Sequence, residues 1–301
     1  MTTSRWLGLV LAFALAAGSA PAQTLRVLVT NDDGVGAPGI DALVQALAAN
    51  PNLDVTVVAP ATNQSGTGDS VTNPPNTITS QASSTAGAFP ATAVGGFPAD
   101  TVLFGALQTL PSPPDLVVSG INHGQNIADA VGLSGTVGAA LWAARLGIPA
   151  FAVSARLGTS DFSEGATFTA ELVERFRTLK SFRKRMIEKD EPKAAIVLNL
   201  NFTNCPGGSR DMRLVSVGRA SQYVGYTLQS DVGGVQTWVV DRLATNLNAV
   251  DCASTVEDVA TDAQAFTNGF ATLTPLSAEG EVSSSRMRQF RFVAKLFKKT
   301  F

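Results

Sequence analysis

Short apolar runs alternate with helically spaced apolar positions over the first two thirds of the chain. Leu25 to Thr30 (LRVLVT) is apolar and β-branched, which predicts a buried strand. Pro38 to Ala49 follows with Ile40, Leu43, Val44 and Leu47 on one helical face, and Pro38 suits a first helical turn. Asp54 to Ala59 (DVTVVA) predicts a second strand, completing a strand-helix-strand unit that favours a parallel sheet. Leu116 to Ser119, Ala150 to Ser154 and Ala194 to Leu200 extend the strand series. Thr136 to Leu146 and Phe168 to Lys189 predict the helices between. The expected core is a three-layer α/β/α, Rossmann-like sheet, mostly parallel, with helices on both faces.

Two regions break this rhythm. Ala61 to Ala93 is rich in Ser, Thr, Asn, Gly and Pro and predicts a long loop or flap (62–93), with short strands near Thr77 to Thr79. After Arg210 the pattern turns to short β-like pieces, Arg213 to Val217 and Thr237 to Val240, a small β-rich appendage. The last segment, Arg286 to Phe301, sets Met287, Phe290, Phe292, Val293, Leu296 and Phe297 among basic residues. It predicts an amphipathic helix that packs on the body, with a membrane-surface role as the alternative.

Composition narrows the class. The chain has 301 residues, 45% hydrophobic and 15% charged, with a formal net charge of -2. That is globular composition without the basic excess that nucleic-acid polymers attract. The N-terminus reads as a signal peptide over 1–22. A basic start at Arg5 precedes the apolar run Trp6 to Ala17, and Ala20-Pro21-Ala22 offers small residues for cleavage after Ala22. The chain is therefore expected to be exported, periplasmic or extracellular, with no membrane span in the mature part. Cys205 and Cys252, the only cysteines, form a natural disulfide candidate in an oxidising compartment.

Ligands of open α/β sheets bind at the carboxyl ends of the strands. After the first strand comes Asn31-Asp32-Asp33-Gly34, after the second Ala59-Pro60-Ala61-Thr62-Asn63-Gln64-Ser65-Gly66, and after the next core strand Gly120-Ile121-Asn122-His123-Gly124-Gln125-Asn126. Two adjacent carboxylates repel unless a cation lies between them, and oxygen-only donors suit Mg²⁺ or Mn²⁺. Ser65 and Asn122 can add neutral oxygens. A plain Asx turn at Asn31 to Gly34 is the competing explanation. Gly132 to Ala140 opens a helix with small residues and free amides, which fits either an anion site or close packing on the sheet. His123, the sole histidine, is either a general acid or a loop residue. No G-x-S-x-G elbow, zincin motif or DxDxT spacing occurs.

These segments together resemble the SurE 5′/3′-nucleotidase family. The resemblance is carried by Val29-Thr30-Asn31-Asp32-Asp33-Gly34, Val58-Ala59-Pro60 through Gln64-Ser65-Gly66, Pro114 through Asn122, and Ser134-Gly135-Thr136-Val137-Gly138-Ala139-Ala140. Weaker echoes are Pro98-Ala99-Asp100, Leu198 to Asn201, and Thr261-Asp262 leading to Leu273 to Leu276. The resemblance implies one divalent cation, Mg²⁺ or Mn²⁺, held by Asp32, Asp33, Ser65 and Asn122. Asp32 and Asp33 would also be the catalytic pair. Asn31, Gly66, Asn126, Ser134, Gly135 and Thr136 would line the phosphate and substrate site. It further implies hydrolysis of nucleoside 5′- and 3′-monophosphates, and a homodimer or homotetramer in which the C-terminal tail (286–301) is exchanged between subunits. Leu133 stands where the family usually has tyrosine, and Phe97 where threonine is usual. The alternative function is an exported phosphate- or nucleotide-binding protein without turnover; an adhesion module would leave the paired aspartates without a purpose.

Overall fold

Strand β1 (Leu25–Thr30) lies at the centre of the sheet because its side chains are apolar on both faces. The computed structural model describes residues 24–187, 194–219, 223–242 and 247–300. The proposed leader over 1–22 and the far end of the helix expected to reach Lys189 lie outside these residues. After β1 come α1 (Pro38–Ala48), β2 (Leu53–Pro60), β3 (Thr79–Ser84), β4 (Pro90–Gly95), α2 (Pro98–Phe104) and β5 (Leu116–His123). Next are α3 (Ala130–Leu133), α4 (Gly135–Arg145), β6 (Ala150–Ala155), α5 (Ser163–Thr178), α6 (Lys180–Arg185), β7 (Ile196–Phe202) and β8 (Met212–Leu214). The chain closes with β9 (Tyr223–Val232), β10 (Val235–Arg242), α7 (Asp262–Thr267), β11 (Ala271–Ser277), β12 (Gly280–Glu281), α8 (Ser284–Met287) and α9 (Arg291–Thr300).

The main sheet runs β12-β11-β7-β6-β5-β1-β2-β4-β3, parallel from β4 through β7 and antiparallel at its outer strands. One face is covered by α1, α5 and the C-terminal helices, the other by α2 and α4. Helix α1 starts at Pro38 and ends before Pro51, whose ring opposes helical geometry at Asn50. It buries Ile40, Leu43, Val44 and Leu47 completely, each contributing about 1.5–3 kcal/mol. A Cβ on Gly39 would stand 2.0 Å from the Ile121 carbonyl oxygen, so glycine is what lets α1 lie directly on β5.

Two expectations change. The polar segment 61–93 is a loop only as far as residue 78. Beyond it Thr79–Ser84 and Pro90–Gly95 pair as a hairpin, and β4 joins the sheet parallel to β2. The helix expected over Phe168 to Lys189 is two helices, because Leu179 adopts an extended conformation (φ -102°, ψ 98°) between α5 and α6. The tail follows the first of its two readings and packs its apolar side on the body, not leaving it open for a membrane. Phe290, Val293, Leu296 and Phe297 are buried on their own chain, with Phe297 edge-on to Phe168 at 5.3 Å. Of the expected β-rich appendage, Thr237 to Val240 lies in β10, which pairs with β9 as a separate two-stranded sheet, whereas Arg213 and Leu214 belong to β8, which pairs with β11 in the main sheet. Among the described residues no helix is long and apolar enough to cross a membrane.

Cys205 and Cys252 are joined by a disulfide, with Cα atoms 5.6 Å apart. The bond ties the loop after β7 to the segment preceding α7.

Candidate active site

β1 pairs with β2 on one side and with β5 on the other, so the strand order reverses at β1. At such a switch point the loops leaving adjacent strands diverge and open a crevice. Asp32 and Asp33 follow β1, Ser65 and Gly66 follow β2, and Asn122 and His123 end β5. The pairing of β5 with β6 is irregular between Ser119 and Asn122, which sets the end of β5 off the regular ladder. A cleft of about 230 Å³ is lined by Asp32, Ser65, Gly66, Asn122, Asn126 and Ser134, together with His123, Gln125, Asp129 and Leu133. That volume suits a phosphate and a cation, not a whole nucleotide.

Asp32 is 2% exposed, and its Oδ1 accepts the Thr136 hydroxyl at 2.6 Å. The Thr136 backbone amide also serves this carboxylate. Burial pushes its pKa up to about 6, opposed by the Thr136 hydrogen bonds and reinforced by the charge of Asp33. Asp33 is less enclosed. Its Oδ2 accepts the His123 backbone N–H at 2.9 Å and its Oδ1 the Asn63 amide at 3.4 Å. Burial raises its pKa too, opposed by the His123 backbone N–H. Among the described residues no lysine or arginine pairs with either aspartate.

Asp32 lines the cleft above, whereas Asp33 lines an adjoining groove with Asn63, Thr62 and Phe162, and His123 borders both. Three of the expected substrate residues stand behind the site. Asn31 is fully buried and closes an Asx turn, donating to the Gly34 carbonyl at 2.8 Å and accepting the Gly34 N–H at 3.2 Å. Thr136 is spent on Asp32. Gly135 lets the helix approach: a Cβ there would lie 2.8 Å from the Asp32 Cβ. Of the helix entry only Ser134 faces the cleft, and its oxygen caps α4 by accepting the Val137 N–H at 3.1 Å. The positive end of α4 therefore meets Asp32 first.

Asn126 is held on all sides. Its N–H donates to Asn201 Oδ1 at 2.6 Å, its amide donates to Ser154 Oγ at 2.9 Å, and its carbonyl accepts from Asn199 at 2.9 Å. His123 Nε2 accepts the Gly158 N–H at 3.0 Å, so this ring nitrogen is engaged by the backbone. Sequence reasoning missed Gln125 and Asp262. Gln125 lines the cleft and donates to the Leu247 carbonyl at 2.8 Å and to Asn248 Oδ1 at 2.6 Å. Asp262 is fully buried and accepts the N–H groups of Ala128 at 3.1 Å and Gly218 at 2.7 Å, holding the far wall in place. Neither carried a signal beyond its place in a quoted motif, since the partners that tie them to the cleft wall, Leu247 and Asn248 for Gln125, Ala128 and Gly218 for Asp262, are distant in sequence.

Fold and site together define a doubly wound α/β protein with a carboxylate-bearing, oxygen-lined cleft at its switch point. A family model described as "Survival protein SurE" matches residues 27–223. The chain belongs to the SurE family. The 5′-nucleotidase SurE of Hyphomonas neptunium (strain ATCC 15444) is 32% identical over 260 residues, covering 85% of this chain and 94% of that protein. The 5′-nucleotidase SurE of Methanopyrus kandleri is 49% identical over 132 residues, covering 43% of this chain and 48% of that protein. The crystal structure of the SurE protein from Aquifex aeolicus superposes with a TM-score of 0.64 at 27% identity, over 89% of this chain and 99% of that one.

Proposed function

We propose that this chain is a metal-dependent phosphomonoesterase that hydrolyses nucleoside 5′- and 3′-monophosphates to nucleoside and inorganic phosphate. The observation that carries this reading is a buried carboxylate, Asp32, sharing one cleft with Ser65, Asn122 and Ser134. The family relatives named 5′-nucleotidase support the substrate class. Asp32 fits a cation, because its buried charge has only hydrogen-bond donors and a second carboxylate near it. Among the described residues no three His, Cys, Asp or Glu side chains converge. Asp32, Asp33, Ser65 and Asn122 would therefore hold the ion through two carboxylates and neutral oxygens, a set that suits Mg²⁺ or Mn²⁺.

When bound, such an ion supplies charge to a phosphoryl oxygen and acidity to a water. The chain's own residues do the rest. Thr136 holds Asp32 and orients its carboxylate. The Ser134 hydroxyl and the Asn126 side chain offer polar contacts to the phosphate. The attacking water forms a bond to phosphorus as the ester P–O bond breaks, and the proton it loses reaches the departing alkoxide through solvent, leaving nucleoside and hydrogen phosphate. Phosphate release from AMP with added Mg²⁺ or Mn²⁺ is expected, and a chelator should abolish it. Release that survives chelation would remove the metal from the reading. No release under any metal would favour a binding protein without turnover.

A homo-oligomer belongs to the same proposal. The hairpin β9–β10 exposes Tyr226, Val232, Val235 and Trp238, with Val232 74% and Val235 71% accessible. An apolar ribbon of this kind marks an interaction surface. Val232→Lys with Trp238→Lys is expected to lower the mass measured by light scattering, and an unchanged mass would count against a hairpin interface.

A further inference from the structure

The loop carrying Ser65 and Gly66 continues as Thr67-Gly68-Asp69 along one side of α4. Gly138, Trp142 and Arg145 are spaced by four and three residues and so share one face of that helix. The loop touches each of them. A Cβ on Gly138 would stand 2.1 Å from the Gly68 carbonyl oxygen, so the two backbones meet there only because residue 138 has no side chain. The Gly68 N–H donates to the Leu133 carbonyl at 3.0 Å. Trp142 Nε1 donates to the Asp69 carbonyl at 2.8 Å, and Arg145 Nη2 pairs with the Asp69 carboxylate at 2.8 Å. The Arg145 guanidinium also lies over the Trp142 ring, 5.1 Å from its centroid. Farther along, the Thr72 N–H and hydroxyl both donate to Asp100, at 2.9 and 2.7 Å.

Ser65 and Gly66 have little packing of their own. Both are exposed, and a Cβ on Gly66 would meet nothing within 4 Å. What places them is a set of anchors on either side: the Gln64 N–H on the Asp32 carbonyl at 2.7 Å and the Ser65 N–H on Asn63 Oδ1 at 2.9 Å before them, and the Gly68 N–H on the Leu133 carbonyl at 3.0 Å and the contacts of Asp69 with α4 after them. We propose that Asp69, Trp142 and Arg145 form a latch that positions Ser65 and Gly66 over the cleft. They are positioning residues, and the proposal rests on the reading of Ser65 as part of a phosphatase site. The Arg145–Asp69 pair is solvent-facing, with side-chain accessibilities of 34% and 53%, so it contributes little to global stability. A shift of about 1 Å in a site group, by contrast, can cost up to about 10²-fold in rate. The latch therefore matters for activity and hardly at all for folding.

The test uses the full chain with Trp142→Phe, Arg145→Ala and the double variant. Trp142→Phe keeps an aromatic ring and removes only the indole donor. The expected result is a fall of about tenfold in kcat/KM for AMP. The Mn²⁺ concentration for half-maximal activity should rise several-fold, and Tm should stay within about 2 °C. Arg145→Lys should recover part of the loss. Unchanged kcat/KM and Mn²⁺ requirement in the double variant would overturn the latch. So would a loss of activity that only follows a falling Tm, since that is plain destabilisation. A second readout needs no turnover. In a Trp6→Phe/Trp238→Phe background Trp142 is the sole tryptophan, and its emission should shift when Mn²⁺ and inorganic phosphate are added. If the unmodified chain releases no phosphate, the phosphatase reading fails, and this emission alone decides the latch: a shift supports it, a flat titration overturns it.

Discussion

Asp32→Asn is expected to reduce phosphate release from AMP by at least about 10²–10³-fold while the chain stays folded. The amide has nearly the shape of the carboxylate and its oxygen can still accept from the Thr136 hydroxyl and amide, so the loop after β1 keeps its anchor. What disappears is the charge. Asp32 sits 2% exposed with its pKa raised to about 6, chiefly by burial, so the folded chain holds this charge at a cost. A site that maintains a buried carboxylate against that cost has a use for it, and a cation is the use proposed here. Since the variant removes the cost together with the charge, its Tm in the presence of chelator should hold or rise. Circular dichroism and a phosphate-release assay on the same preparation separate the two effects. Full activity in Asp32→Asn would eliminate Asp32 as a metal ligand.

Replacing both cysteines, Cys205→Ala with Cys252→Ala, is expected to cost about 4 kcal/mol of stability, because the bond closes a loop of 47 residues. That corresponds to a fall in Tm of roughly 10 °C. The damage should not be confined to stability. The segment tied down by Cys252 also carries Leu247 and Asn248, which hold Gln125 in the cleft wall, and Leu247 packs with Ile127 and Phe266. Loss of the bond should therefore raise KM for AMP more than it lowers kcat. A reductant acting on the unmodified chain should reproduce both changes; a Tm indifferent to reductant would refute the structural role. The bond also supports the proposal that the chain is exported, since disulfides persist in oxidising compartments. Fractionation that finds the chain only in the cytoplasm, with both thiols free, would count against export.

Legibility in the sequence followed burial. β1, β2, β5, β6 and β7 are central strands, apolar on both faces, and appear as short apolar runs. Strand β3 (Thr79–Ser84, TSQASS) lies at the sheet edge and is almost wholly exposed, so it has neither apolar alternation nor β-branched enrichment to reveal it. The break at Leu179 was hidden for a different reason. Phe168, Leu172, Val173 and Phe176 hold a helical spacing that Phe182 and Met186 continue closely enough to read as one helix. The turn between α5 and α6 is decided by packing, where Phe182 meets Phe151, Phe176 and Phe292.

The sequence by itself determined the α/β core, the order of its strands along the chain and the three polar loops that follow the strand ends. Hydrophobic periodicity and loop chemistry are local properties, written within a few residues. Only the tertiary structure decided how those loops divide their labour. Asn31 and Thr136 turn inward to hold the backbone and Asp32, Asp33 borders the adjoining groove, and Gln125 and Asp262 enter the cleft's support from far along the chain. Such assignments depend on which donor finds which acceptor across the switch point, and that pairing exists only once β1, β5 and α4 have packed together.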